Sequence, residues 1–142
     1  MKYIITEDQL EKVTNKMLNL TFSAFGNDWN VLQKFIEKRN HPLYILTGNL
    51  DLSGKNNIET LGSLFQVRGD LDLGNSSIKS LGKLNYVVGY LNLQSTPIES
   101  IGNLTYVGDD LYLRYTPISI NSDLNTKKDI SNQVLVLGQI YL

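Results

Sequence analysis

The sequence predicts an α/β repeat solenoid: a single right-handed parallel sheet of about five strands, built from 20-residue repeats, behind a helical N-terminal cap. Three observations lead there. The first is a fixed interval between apolar residues. Ile58, Ile78, Ile98 and Ile118 stand twenty positions apart, and Leu61, Leu81 and Ile101 keep the same spacing. So do Leu64, Leu84 and Leu104, then Val67, Val87 and Val107, with Gly62, Gly82 and Gly102 in register. Self-similarity at such a period marks stacked supersecondary units, none of which buries its apolar face alone. The second is strict alternation within each unit, as in Val67-x-Gly69-x-Leu71-x-Leu73 and Val87-x-Gly89-x-Leu91-x-Leu93. Period two means a half-buried strand. The third is the shortness of what remains. Apolar residues three apart, as in Leu81 and Leu84, suit a tight turn or a 3₁₀ turn, and so short a unit leaves no room for a long helix. One strand and one turn per unit make consecutive strands parallel, and parallel crossovers are almost always right-handed.

In chain order, residues 1–43 are expected to form the cap. Thr6-Glu7-Asp8-Gln9 matches a capping box, and Leu10, Val13, Met17 and Leu20 then recur at helical spacing. A second helix is expected from Asp28 to about Arg39, with Trp29, Leu32, Phe35 and Ile36 on one face. Pro42 separates it from the first strand. Residues 44–142 are the solenoid. Its strands begin with Leu46-x-Gly48-x-Leu50-x-Leu52 and continue to Val107-x-Asp109-x-Leu111-x-Leu113. Val136-x-Gly138-x-Ile140-x-Leu142 is the fifth, and its interval from Val107 is longer than the repeat. Residues 119–135 therefore read as a loop or short helix inserted in the last unit, expected either to fold over the open end of the core or to leave it for a second chain. Gly69 and Gly89 are expected to point inward where units pack closely. Asp109 interrupts that column and calls for a partner in the core or a bulge.

Composition narrows the function. The chain has 142 residues, a formal net charge of −1 and no cysteine. Near-neutral charge argues against nucleic-acid binding. The lack of cysteine excludes disulfides, thiolate metal sites and a cysteine nucleophile. No apolar run approaches a membrane span, and the opening residues hold too short an apolar stretch for a secretion signal, so a cytoplasmic protein is expected. His41 is the only histidine, beside Pro42 with no companion acid, and no nucleotide or hydrolase motif is present. No enzyme, no cofactor and no metal site is expected.

The segment from Leu71 to Ile78 resembles the leucine-rich-repeat pattern L-x-L-x-x-N-x-L, as do Leu91 to Ile98 and Leu111 to Ile118, with Thr96 and Thr116 at the Asn position. The resemblance implies that this polar residue turns inward and hydrogen-bonds the loop backbone. Val four residues before the strand leucine is more similar to the L domains of growth-factor receptors and their bacterial relatives. The opening Met1-Lys2-Tyr3-Ile4-Ile5-Thr6-Glu7 also resembles small uncharacterised proteins of large tailed phages. In leucine-rich repeats the solvent side of the sheet is the usual binding face, and that is the expectation here.

On that face the residues form columns. Asp51, Asp72 and Asn92 continue into Tyr112 and Tyr141; Asn49, Asp70, Tyr90, Asp110 and Gln139 run alongside. The face is acidic at one end and tyrosine-rich at the other. The expected partner-binding residues are Asp51, Asp70, Asp72, Tyr90, Asn92, Asp110, Tyr112 and Arg114. Exposed strand aspartates are depleted by propensity, and stacked Asp51 and Asp72 repel. Arg68, a basic partner or a cation would relieve that. The plainer alternative is that these residues only keep an exposed strand soluble. The leading expectation is a non-catalytic module that binds a protein partner, a host protein if the phage-like opening holds. Its alternatives are a virion or assembly component that oligomerises through the last strand, and a glycan binder using Tyr90 and Tyr112.

Overall fold

The computed structural model describes residues 17–121, 123 and 126–142. It is an α/β fold whose strands are parallel and lie in two sheets, with few helices. The chain opens with β1 (Leu18–Thr21), a 3₁₀ turn (Phe22–Phe25) and α1 (Trp29–Glu37). Next come β2 (Tyr44–Thr47), β3 (Leu50–Asp51), β4 (Leu64–Arg68), β5 (Leu71–Asp72), β6 (Tyr86–Val87), β7 (Leu91–Asn92), β8 (Tyr106–Val107) and β9 (Leu111–Tyr112). Two short helices, α2 (Pro117–Ile120) and α3 (Thr126–Gln133), precede β10 (Leu135–Val136) and β11 (Ile140–Tyr141). One sheet runs β1-β2-β4-β6-β8-β10, the other β3-β5-β7-β9-β11.

The single sheet expected from the alternation is thus corrected to two. Each predicted strand breaks in the middle, at Gly48-Asn49, Gly69-Asp70, Gly89-Tyr90 and their successors. At the break the acceptor changes. The Asp70 backbone N–H donates to the side-chain Oδ1 of Asn49 at 2.8 Å, and that of Tyr90 to Asp70 Oδ1 at 3.0 Å. A side-chain oxygen stands where a main-chain carbonyl would continue the ladder, so adjacent units stay joined without forming one strand.

The register follows the repeat. Tyr86 and Val87 pair with Gln66 and Val67, and Leu91 pairs with Leu71, each one repeat interval on. Leu46 and Val67 also pair, although one further position separates them. There the pairing steps from Tyr44–Leu64 to Ile45–Gln66, so the extra residue is taken up as a bulge at Phe65. In the last unit Tyr106 pairs with Leu135 and Leu111 with Ile140, across a longer stretch of chain that holds α2 and α3.

Those columns form one continuous core. Leu50, Leu71, Leu91 and Leu111 are each no more than 1% exposed, and Ile58, Ile78 and Ile98 pack in the same cluster. Burying each such side chain is worth about 1.5–3 kcal/mol. The glycine column has a local cause: Gly62, Gly82 and Gly102 all adopt φ of 58–59°, and their N–H groups donate to the hydroxyls of Thr60, Ser80 and Ser100. The second column of glycines differs from expectation. A Cβ on Gly69 would meet the backbone of Gly48 at 2.5 Å, so this glycine faces the preceding unit and not the core. Asp109, in the same column, is exposed and has no need of a core partner.

The N-terminal region departs from the prediction where it is described. The helix expected through Met17 and Leu20 is replaced there by β1, which pairs parallel with β2 from Leu18–Tyr44 to Thr21–Thr47. Thr6, Leu10 and Val13 lie outside the described residues. The second helix stands where expected: Asp28 caps it by accepting from the N–H groups of Asn30 and Val31, and Leu32 and Ile36 are buried. The inserted segment of the last unit holds α3. Its Ile130 and the following Val134 are buried in the common core, and Gln133 donates to the Gly102 carbonyl.

Candidate interaction face

The outward columns lie on the five-stranded sheet, β3-β5-β7-β9-β11. Register puts Asp51 beside Asp72, Asp72 beside Asn92, Asn92 beside Tyr112, and Tyr112 beside Tyr141. All of these residues are half-buried or exposed, while the alternate Leu50, Leu71, Leu91 and Leu111 fill the core.

The acidic end of the face is committed to local bonding. Asp51 Oδ1 accepts from the Ser53 backbone N–H at 2.9 Å and from the Ser53 hydroxyl at 2.6 Å. Those two bonds, the hydroxyl's first, hold its carboxyl below the usual range. Asp72 Oδ1 accepts from the Gly74 N–H and from Asn92 Nδ2, and Asn92 Oδ1 accepts from the Gln94 N–H. Each is a side-chain turn closing on the residue two ahead. The repulsion anticipated between Asp51 and Asp72 is therefore offset by N–H and O–H donors. Arg68 takes no part: the ion pair among the described residues is Lys79–Glu59, at 3.5 Å. In the neighbouring column Asp70 accepts from Tyr90, and Asp110 Oδ1 accepts from the Gln139 N–H at 2.7 Å. The role of Asn49 as the first acceptor in this series was not foreseen from sequence.

The other end is aromatic. Tyr112 and Tyr141 stack with ring centroids 5.0 Å apart and an interplanar angle of 7°. Tyr90 meets Tyr112 edge-on at 6.2 Å, and the Arg114 guanidinium lies 5.4 Å from the Tyr141 ring centre. The Tyr112 hydroxyl donates to Asp110 Oδ2 at 3.2 Å. Burial, joined by that bond, raises the Tyr112 phenol, and burial with the nearby carboxylates of Asp72, Asp70 and Asp51 raises that of Tyr90. Both are neutral donors at physiological pH. Of the predicted site residues the structure gathers Tyr90, Asp110, Tyr112 and Arg114 into this cluster, and leaves Asp51 at the far end. Tyr141 completes the cluster. In the sequence it was set apart only by an offset from Tyr112 longer than the repeat interval.

Beneath the face the hydroxyls of the buried Ser76, Thr96 and Thr116 are hydrogen-bonded. Thr96 Oγ1 donates to the Leu93 carbonyl at 2.7 Å and Thr116 Oγ1 to the Leu113 carbonyl at 2.6 Å, while Ser76 accepts from the Ile78 N–H. These bonds hold the turns that end β5, β7 and β9, and so fix the direction of the strands bearing the tyrosines.

Comparison with protein-family models, with curated proteins and with solved structures returns no match. No helix among the described residues is long and apolar enough to cross a membrane.

Proposed function

We propose that the chain is a non-catalytic binding module, a leucine-rich-repeat-like solenoid that docks a protein partner on the outer face of its five-stranded sheet. The contact is carried by Tyr90, Tyr112, Tyr141 and Arg114, with Asp110 orienting the Tyr112 hydroxyl. The observation behind this reading is the joined ring cluster with a guanidinium beside it, half-exposed on a regular sheet. Tyrosine and arginine give large, stiff, amphipathic contacts and are enriched at recognition surfaces. Asp51, Asp70, Asp72 and Asn92 serve mainly to hold turns and join units, and flank the contact without dominating it.

The test is affinity capture with the wild type and a Tyr112→Asn variant as paired baits, followed by direct measurement of the affinity for whatever the wild type retains. Loss of at least about 2 kcal/mol, the scale of an interface hot spot, is expected for the variant. Equal affinity for both would remove the tyrosine cluster from the interface. A second reading, association through the last strand of the six-stranded sheet, is favoured by one feature: Leu135 in that strand and Leu137 just after it are 59% and 61% exposed. Under that reading a Leu135→Lys, Leu137→Lys variant dissociates an oligomer that the tyrosine variant leaves intact.

A further inference from the structure

At the opposite end of the molecule from the tyrosine cluster, a cleft of about 510 Å³ opens between the start of α1 and the first repeat. Its apolar lining is the part-exposed Trp29, backed by the buried core residues Phe22, Leu52 and Ile58. Four amides line the rest: Asn27, Asn30, Asn49 and Asn57. Asp28, Asp51 and Lys55 bring two carboxylates and one ammonium. We infer that this cleft is a binding site for a neutral polyhydroxylated ring, a sugar, stacked on Trp29 and hydrogen-bonded by the amides.

The chemistry of the lining selects that class. An anion is disfavoured because the carboxylates outnumber the ammonium, and because N–H groups at the start of α1 are already taken by Asp28. A hard cation wants six or more oxygens, and the Oδ1 atoms of Asp28, Asp51 and Asn49 are each engaged by N–H donors. A wholly apolar ligand would strand four amides. What remains is a ligand with one apolar face and a rim of groups that both donate and accept, which is how a pyranose presents itself. The Asn49 oxygen holds Asp70, which leaves its NH₂ to donate, and the side chains of Asn30 and Asn57 enter none of the hydrogen bonds among the described residues. The volume falls in the range of small-ligand sites.

Trp29 is the only tryptophan, so its emission reports this cleft alone. The full chain is titrated with methyl glucoside, galactose, N-acetylglucosamine and the disaccharides maltose and chitobiose, with sodium phosphate and calcium chloride as comparators. A saturable change in Trp29 emission with at least one sugar is expected, weakened roughly 2- to 10-fold by Asn57→Ala, the scale of one neutral hydrogen bond. Tyr112→Ala is expected to leave it unchanged, which separates this site from the proposed docking face. The inference is overturned if no sugar gives saturation, if Asn57→Ala and Asn30→Ala both leave the affinity intact, or if only phosphate or calcium saturates.

Discussion

Tyr44 lies wholly inside the fold on β2, and its hydroxyl accepts a 3.1 Å bond from Gln33 Nε2 on α1. Burial pushes its phenol up to about 12, the Gln33 bond countering only part of that. In the unfolded chain the phenol ionises near its ordinary value of about 10. Below that pH both states hold the proton and stability is unaffected. Between about pH 10 and 12 the unfolded state loses the proton that the folded state retains, so stability falls as pH rises, by about 1.4 kcal/mol per unit and about 2.7 kcal/mol across the window. Tyr44→Phe removes the ionisation, at a neutral-pH cost of about 1 kcal/mol for the lost bond to a half-buried amide. The wild type should therefore be the more stable protein at pH 8 and the less stable one beyond about pH 11, where the alkaline loss overtakes that bond. Urea unfolding of both proteins at matched ionic strength, from pH 8 to 12, gives the difference curve, in which the remaining tyrosines cancel. A difference that does not change with pH would refute the reasoning, because it would mean that Tyr44 is hydrated enough to ionise in the folded state.

Asp70 joins units through one oxygen, and Asn49 does the same work one unit earlier, so Asp70→Asn should stay within about 0.5 kcal/mol of the wild type while Asp70→Ala loses about 1–3 kcal/mol. Equal losses in denaturant unfolding would show that the charge, and not the acceptor, matters. Gly69→Ala and Gly102→Ala test two different reasons for a glycine. A Cβ on Gly102 meets nothing within 4 Å and suffers only its φ of +58°, a cost of about 1–2 kcal/mol. A Cβ on Gly69 meets Gly48 backbone, which cannot turn aside, so its loss in thermal unfolding should be the larger; the reverse order would dismiss the close approach as its cause.

The repeat was legible because burial repeats with it: the periodic columns of Ile, Leu and Val are the columns of the core. The outward register was legible for the same reason, since alternation fixes which side chains share a face. The break into two sheets was not. Val67-x-Gly69-x-Leu71 reads as an unbroken strand, and nothing in the alternation tells that Asn49 or Asp70 will lend a side-chain oxygen to the next unit. The strand at Leu18–Thr21 was hidden in another way. Leu10, Val13, Met17 and Leu20 fit a helical stripe, and the pairing with β2 that makes Leu18–Thr21 a strand is a contact between segments far apart in the chain. Local spacing carries no trace of it. The commitments of Asp51 and Asp72 were equally silent, because an aspartate that closes a turn on the residue two ahead has the same sequence context as one facing water.

What the columns then reveal is a substitution of one kind of bonding for another. Asn49, Asp70 and Asp110 each accept a backbone N–H of the following unit, and the series is interrupted at Tyr90. Asp51, Asp72 and Asn92 each accept the N–H two residues on, and the same column continues as Tyr112 and Tyr141, whose rings stack instead. A neutral hydrogen bond is worth about 1 kcal/mol net, and a ring pair adds about 0.5–1.5 kcal/mol, so stability alone is nearly indifferent to the exchange. The difference lies in what is presented outward: a short polar group turned back on its own chain, or a broad ring with a hydroxyl at its rim. This is why Tyr112→Asn is the informative variant for the docking face. Asn92 holds the equivalent place one unit earlier, so the asparagine can close the same turn, and the fold should keep its stability to within about 1 kcal/mol. A loss of binding at preserved stability would then belong to the surface, whereas loss of both together would return the tyrosines to the scaffold.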